Sequence, residues 1–291
     1  VQTALAKVAS LLKDENDPTL LSTYGRWLVR RDSEAGIQVL TKQTAKLGSD
    51  PSQKSTTRSK AQELESIQAQ KATINELRDI DADAATKYLE AVVLSTTKVQ
   101  DEQMHRELAA ALLRRVEDHL KDDAFRRKMD AVTQDYAQGS YAESFFAHLA
   151  LASDGSTRDA ERLKLAMLLQ GSTVLDYDAL LDMIAPLESL VYEKAIILGK
   201  LGRDSEALSL LAITLRDANS AEAYCSQDGE VLSPMLAASI AEDHAALRPF
   251  AAMLSRTYAQ RVKANARATA QRELSAAQRK QELLKQLLSV Y

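Results

Sequence analysis

With 291 residues, 45% of them hydrophobic and 27% charged, the chain has apolar material for a large core, as two compact domains or as one elongated array. A net charge of -4 argues against a general nucleic-acid binder, one cysteine excludes an intrachain disulfide and a cysteine-based zinc site, and no apolar run approaches the roughly 18 residues of a membrane span. Aromatics at 5%, with abundant Ala, Leu, Glu, Lys, Arg and Gln, favour helices and starve strands.

The first helices are predicted over Thr3 to Leu12 and Pro18 to Leu28, where Asp17 is a natural cap before a proline at the first helical position. Asp32-Ser33 caps a short helix to about Thr41, and Leu47 to Ser59 reads as a polar loop punctuated by Gly48 and Pro51. Helices resume over Lys60 to Leu77, Asp83 to Ser95 and Asp101 to Lys121. A hairpin covers Ala124 to Ala137 and Tyr141 to Leu151, broken at Gln138-Gly139-Ser140. Ser153 to Thr157 is a turn cluster, followed by a helix from Thr157 to Gln170.

Val191 to Cys225 is the most informative stretch. Apolar residues recur at three- and four-residue intervals (Ala195, Leu198, then Ala207, Leu208, Leu211, Leu215). Between them Gly199-Lys-Leu-Gly202-Arg-Asp supplies a C-terminal glycine and a fresh cap. Two antiparallel helices are predicted, and neither buries its apolar stripe alone, so the pair must stack on neighbours. Leu198 and Leu211 are placed on the inward stripes, Lys200 and Arg203 in a tolerant turn. The predicted fold class is therefore all-α, an α-solenoid of antiparallel helix hairpins. The last helices run from about Met235 to Ile240, Ala245 to Tyr258, and on to Leu288.

Tyr192-Glu-Lys-Ala195, Leu198 to Gly202, Glu206-Ala-Leu208 and Ala221-Glu-Ala-Tyr-Cys225 resemble the clathrin-repeat-like region of a family of vacuolar sorting subunits. The likeness extends to Tyr24 to Asp32 with Gly36-Ile37 and Leu40-Thr41, to Ala85, Tyr88 to Val93 and Glu102, and to Leu163 to Ser172 with Tyr177-Asp178. The family contains the Vam six/Vps thirty-nine subunit of the HOPS tether and the TGF-β-receptor-associated protein, or Vps three, subunit of the CORVET tether. Gln170-Gly171-Ser172 and the spacing from Tyr88 to Glu102 are closer to the CORVET-type member. These motifs are helix-packing signatures, not catalytic ones.

The resemblance implies a clathrin heavy-chain-repeat or TPR-like solenoid over 1–225, with best-matching repeat 191–225, and further helices of the same solenoid over 226–291. Asp228 to Pro234 leads abruptly into a late-looking helix, so residues of the family pattern are expected to be missing near Gly229 and within 54–59. The start at Val1 and the end at Tyr291 within a helical pattern read as a fragment. The family's N-terminal propeller and C-terminal zinc segment are not expected in it, and small GTPase binding goes with the propeller. The implied function is a non-enzymatic assembly module of an endosomal or vacuolar tether, peripheral on those membranes from the cytoplasmic side. Its implied partner is the class C core, through a subunit like Vps eleven. A helical-repeat adaptor of another trafficking system is the alternative.

Several features tempt toward sharper chemistry. Asp79, Asp81, Asp83 and Glu90 fall at the first, third, fifth and twelfth positions of a calcium loop, but Ala84 stands where that loop needs glycine, and an acid-rich helix N-terminus explains them. His105, His119, His148 and His244 lie far apart in sequence and read as surface or packing residues, Cys225 as a packed repeat residue, and Trp27 as a core anchor between helices. No cofactor, metal or catalytic group is predicted. From Arg256 to Lys285 eight basic residues face two acidic ones in a chain of net charge -4, which fits a solvated helix face or an acidic protein contact better than lipid. The predicted docking surface is the C-terminal helix. Leu283, Leu284, Leu287 and Leu288 are its anchors, with Arg267, Arg272 and Arg279 steering association from the rim.

Overall fold

The computed structural model describes residues 2–15, 17–48, 60–95, 101–139, 141–153, 155–227, 229–267 and 271–290. Of these, the backbone alone is described at 2–4, 13–14, 18–19, 42–48, 60–63, 264–267 and 271–277. The described residues form sixteen α-helices and no strand, the all-α helical-repeat class expected from composition and periodicity. Two compact units divide the chain, Val1–Leu108 and Ala109–Tyr291.

The first unit contains α1 (Gln2–Asp14), α2 (Pro18–Val29), α3 (Ser33–Gly48), α4 (Lys60–Ile80), α5 (Ala82–Leu94) and the start of α6 (Glu102–Leu120). Helix α3 packs against α1, α2 and α5, while α4 pairs with α5. Ala9, Leu12, Leu21, Leu28 and Val39 form one apolar cluster, each side chain removed from water and worth roughly 1.5–3 kcal/mol for the larger residues. Gly36 permits the close crossing of α3 over α2: a Cβ there would stand 2.4 Å from the Val29 backbone nitrogen. Asp81 caps α5 by accepting from the Asp83 and Ala84 amides, which accounts for the acid-rich stretch as a helix start. Hydrogen bonds to the Ala84 amide and to Ser33 hold its carboxyl below the usual range despite partial burial.

Trp27 is not the core anchor its size predicted. Leu21, Gly25, Leu28 and Val29 occupy the inward face of α2, and that phase turns Trp27 outward, 37% exposed, with the Arg31 guanidinium 4.2 Å over its ring. His105, read as a surface or packing residue, is a packing one. Its helix is strongly charged, yet the side chain is 2% exposed, and burial drives its pKa down to about 4 against the opposing pull of Asp101.

The second unit continues α6 and adds α7 (Asp123–Gln138), α8 (Phe145–Leu151), α9 (Thr157–Gly171), α10 (Tyr177–Ile184), α11 (Val191–Lys200), α12 (Asp204–Ser209), α13 (Ala218–Ser226), α14 (Pro234–Asp243), α15 (Arg248–Arg267) and α16 (Gln271–Val290). Ser144, Ser156, Asp176, Asp217 and Ser233 each cap a helix through a side-chain oxygen, at about 1 kcal/mol apiece. Residues 141–144 form a turn rather than the predicted helix start, because Ser144 takes the cap position and the Tyr141 ring stacks on Tyr136 at 5.4 Å. Helix α3, predicted to end near Thr41, runs on to Gly48 and takes in the first two residues of the loop predicted over Leu47 to Ser59; the remainder, 49–59, including the proposed break at 54–59, lies outside the described residues, as does Asp228.

Helix α9 is the centre of this unit. Every residue from Leu163 to Gly171 except Lys164 is buried, with α8, α11 and α15 packed around it. Two polar devices fix that packing. Arg162, 1% exposed, donates from Nε to Glu193 Oε1 at 2.8 Å and from Nη2 to the Ser189 carbonyl at 2.9 Å. Asp217, fully buried, accepts from the Phe145 amide, the Tyr136 hydroxyl and the Ser220 amide, so one carboxylate joins the starts of α8 and α13.

Candidate protein-docking surface

The stretch 191–225 carries three helical segments where periodicity predicted two. Helix α11 ends with Gly202 at φ +71, the left-handed conformation that glycine adopts without penalty, and the Arg203 amide reaches back to the Leu198 carbonyl at 2.9 Å. Helix α12 then widens into a π-helical turn over Leu210–Thr214, and Arg216 at φ +55 stops it before α13. Leu198 and Leu211 are both buried, at 6% and 0% exposure, as their inward placement required. The π-turn leaves Ile213 54% exposed, a surface residue that a simple helical repeat does not single out.

The C-terminal helices are built into this repeat. Helix α15 packs on α9, and α16 packs on α12, α13 and the π-turn. Glu230 sits at the junction. It accepts from the Gln170 side-chain amide, from Lys200 Nζ at 3.1 Å and from the Arg261 guanidinium, thereby tying α9, α11 and α15 together. The Gln170 side-chain oxygen in turn accepts from the Val231 and Leu232 amides. Lys200 is therefore not in an open turn: it ends α11 and is paired with Glu230. Its ammonium is largely removed from water, and that desolvation lowers its pKa even though Glu230 pulls the other way. The cavity beside the cluster measures about 20 Å³, space for one water and too little for an organic ligand.

On α16 the four predicted anchors separate. Leu283 is 1% exposed and belongs to the unit's own core, Leu287 is half-buried, and Leu284 and Leu288 face solvent at 39% and 76% exposure. Arg279 faces the start of α12, with Nη2 3.7 Å from Asp204 Oδ1, while the Tyr224 hydroxyl donates to the same Asp204 oxygen. The acceptor and burial together raise the pKa of Tyr224. Arg267 and Arg272 have side chains outside the described residues. Arg261, another member of the basic stretch, is committed to Glu230 and lies over the Tyr258 ring at 5.4 Å. Among the described residues of α16 the outward leucines are thus Leu284 and Leu288, and Ile213 is exposed on the π-turn against which α16 packs.

The remaining candidates have structural settings. Asp79 closes α4 and Glu90 lies within α5, so helices occupy the spacing of the calcium loop, and Asp83 pairs with Lys87 at 3.0 Å. His119 Nε2 lies 2.7 Å from Glu161, which also receives Arg115. His148 lies among Tyr136, Tyr141, Asp135 and Glu143. Cys225 is buried, and that burial raises its thiol pKa, the setting of a packing residue rather than a nucleophile. Among the described residues no group of three or more His, Cys, Asp or Glu is placed to hold a metal ion, and no helix is long and apolar enough to cross a membrane.

Comparison with known proteins returns no matching family model and no matching solved structure. Among curated proteins the chain is 28% identical over 210 residues to "Transforming growth factor-beta receptor-associated protein 1" of Homo sapiens, covering 72% of this chain and 19% of that protein. It is likewise 28% identical over 211 residues to the Danio rerio homolog, covering 71% of this chain and 19% of that one. The chain thus spans about a fifth of the length of these relatives. These relatives carry the name of the TGF-β-receptor-associated protein that the motifs resemble.

Proposed function

We propose that this chain is a non-enzymatic assembly segment of a membrane-tethering complex at the endosome or vacuole, of the CORVET type ahead of the HOPS type. One observation carries the reading: similarity to the receptor-associated proteins runs through about 210 residues of a chain folded as helical repeats. Repeats of this kind offer extended surface rather than an enclosed site, and binding energy comes from a few apolar residues ringed by polar ones. In this reading Leu284 and Leu288 on α16 dock a class C core subunit of the Vps eleven type, with Arg267 and Arg272 guiding approach. Small GTPase recognition belongs to other parts of such a subunit. Membrane association is peripheral and comes through the complex.

The test is affinity purification of the full-length protein from its own cells, scoring class C, CORVET-specific and HOPS-specific subunits. Enrichment of class C subunits with CORVET-specific ones is expected. Recovery of HOPS-specific subunits instead moves the chain to the other tether, and recovery of neither leaves a helical-repeat adaptor of another trafficking system.

A further inference from the structure

The outward face of α2 is apolar, and the proposed C-terminal docking does not use it. Leu20, Thr23, Tyr24 and Trp27 recur along one side of this helix, Arg30 and Arg31 follow in the turn that ends it, and all six are exposed. Leu20, Tyr24 and Trp27 stand at 40%, 47% and 37% exposure, one helical turn apart, although the opposite face is packed against α3. Three large apolar side chains aligned in water on an element whose other side is already buried form a continuous stripe rather than scattered surface residues. Tyr and Trp are also the side chains that dominate interface energetics.

Chemistry at the end of the stripe selects the partner. The Arg31 guanidinium lies 4.2 Å over the Trp27 ring and donates from Nη1 to the Trp27 carbonyl at 3.4 Å. A guanidinium held over an indole and hydrogen-bonded through one nitrogen keeps further N–H donors, which can receive a carboxylate. The face itself carries no Asp or Glu. Arg26, on the flank, is already paired with Glu76, and Arg30 lines a groove of about 580 Å³ together with Asp79 and Asp81. Arg31 is therefore the cation that this face presents with its aromatic support.

We infer that α2 docks an amphipathic helix of a partner protein, one that lays apolar residues along Leu20, Tyr24 and Trp27 and sets an Asp or Glu on Arg31. The three apolar side chains are spaced to meet i, i+3, i+4 and i+7 anchors, and the stacked arginine fixes the direction in which the helix lies.

Trp27 is the chain's one tryptophan, so its emission reports this surface directly. The probe is a displayed library of helix-forming peptides, selected on the intact 291-residue chain and counter-selected on its Trp27→Ala variant, with circular dichroism confirming that every variant keeps its helices. Enriched peptides are expected to carry an apolar face ending in Asp or Glu. A synthetic copy should shift Trp27 emission to the blue, and should bind about tenfold more weakly to Arg31→Glu or when its acid is replaced by Lys. Enrichment that ignores Trp27, enrichment of basic peptides, or equal binding by the Lys-substituted copy overturns the inference. So does a blue shift that grows with the concentration of the chain alone, which would assign the face to a second copy.

Discussion

Removing Glu230 should destabilise the second unit far more than removing either of its cationic partners. The Glu230 side chain is 11% exposed, Lys200 19% and Arg261 32%. Glu230→Ala leaves two cations and the Gln170 amide facing a vacated, mostly dry position. Breaking such a pair costs roughly 3–5 kcal/mol, and the partial access of Arg261 to water puts the expected loss near the lower end, about 3 kcal/mol. Lys200→Met is different, because Glu230 keeps Arg261 and Gln170 while a poorly solvated ammonium is exchanged for an apolar chain of similar length. Its effect should stay within about 1 kcal/mol of zero. Urea unfolding followed by far-ultraviolet circular dichroism measures both. Equal losses in the two variants, or a negligible loss for Glu230→Ala, would show that the cluster does not fasten α15 to the repeat.

Truncating Leu198 or Leu211 to Ala should cost about 2–5 kcal/mol, whereas Arg203→Ala, in the exposed turn beside Glu206, should stay within about 0.5 kcal/mol; matching effects in the same unfolding assay would mean the helical phase is wrong. His105 predicts acid sensitivity. Its folded pKa of about 4 lies below the ordinary value of 6.5, so the unfolded chain binds the proton more readily, and stability is lost as pH falls from 6.5 toward 4. By pH 5 the native protein should have lost about 2 kcal/mol relative to a His105→Gln variant, read from urea midpoints across pH, and parallel pH profiles would contradict it. Arg267→Glu with Arg272→Glu should slow association with the class C subunit at low salt and have little effect at high salt, as stopped-flow or surface-binding kinetics would show.

Helix existence was legible because the apolar residues repeat with helical period and some caps are explicit, as with Asp17 before α2 and Asp32 before α3. What escaped the pattern depends on long-range packing. The π-turn at Leu210–Thr214 is compatible with the same leucine spacing as an α-helix, so neither the outward Ile213 nor the third segment of the repeat could be read from it. Helix α10 is short and lay hidden among turn residues. Lys200 looked like a turn residue because its partner, Glu230, is thirty residues away and reaches it only when α11 and the segment before α14 come together. The same holds within the candidate surface. Periodicity placed four leucines at the end of α16, but only the contact with α12 and α13 decides that Leu283 goes inward while Leu284 and Leu288 stay in water.

The most direct test of the proposed role is binding between the purified chain and a purified class C core subunit of the Vps eleven type, measured for the native chain and for Leu284→Asp with Leu288→Asp. Both substituted positions are exposed, so helix content should not change. The account predicts saturable binding by the native chain and a loss of at least about tenfold in the double variant, expressed mainly as faster dissociation. No binding by the native chain, or equal affinity in the variant with its helices intact, would contradict it.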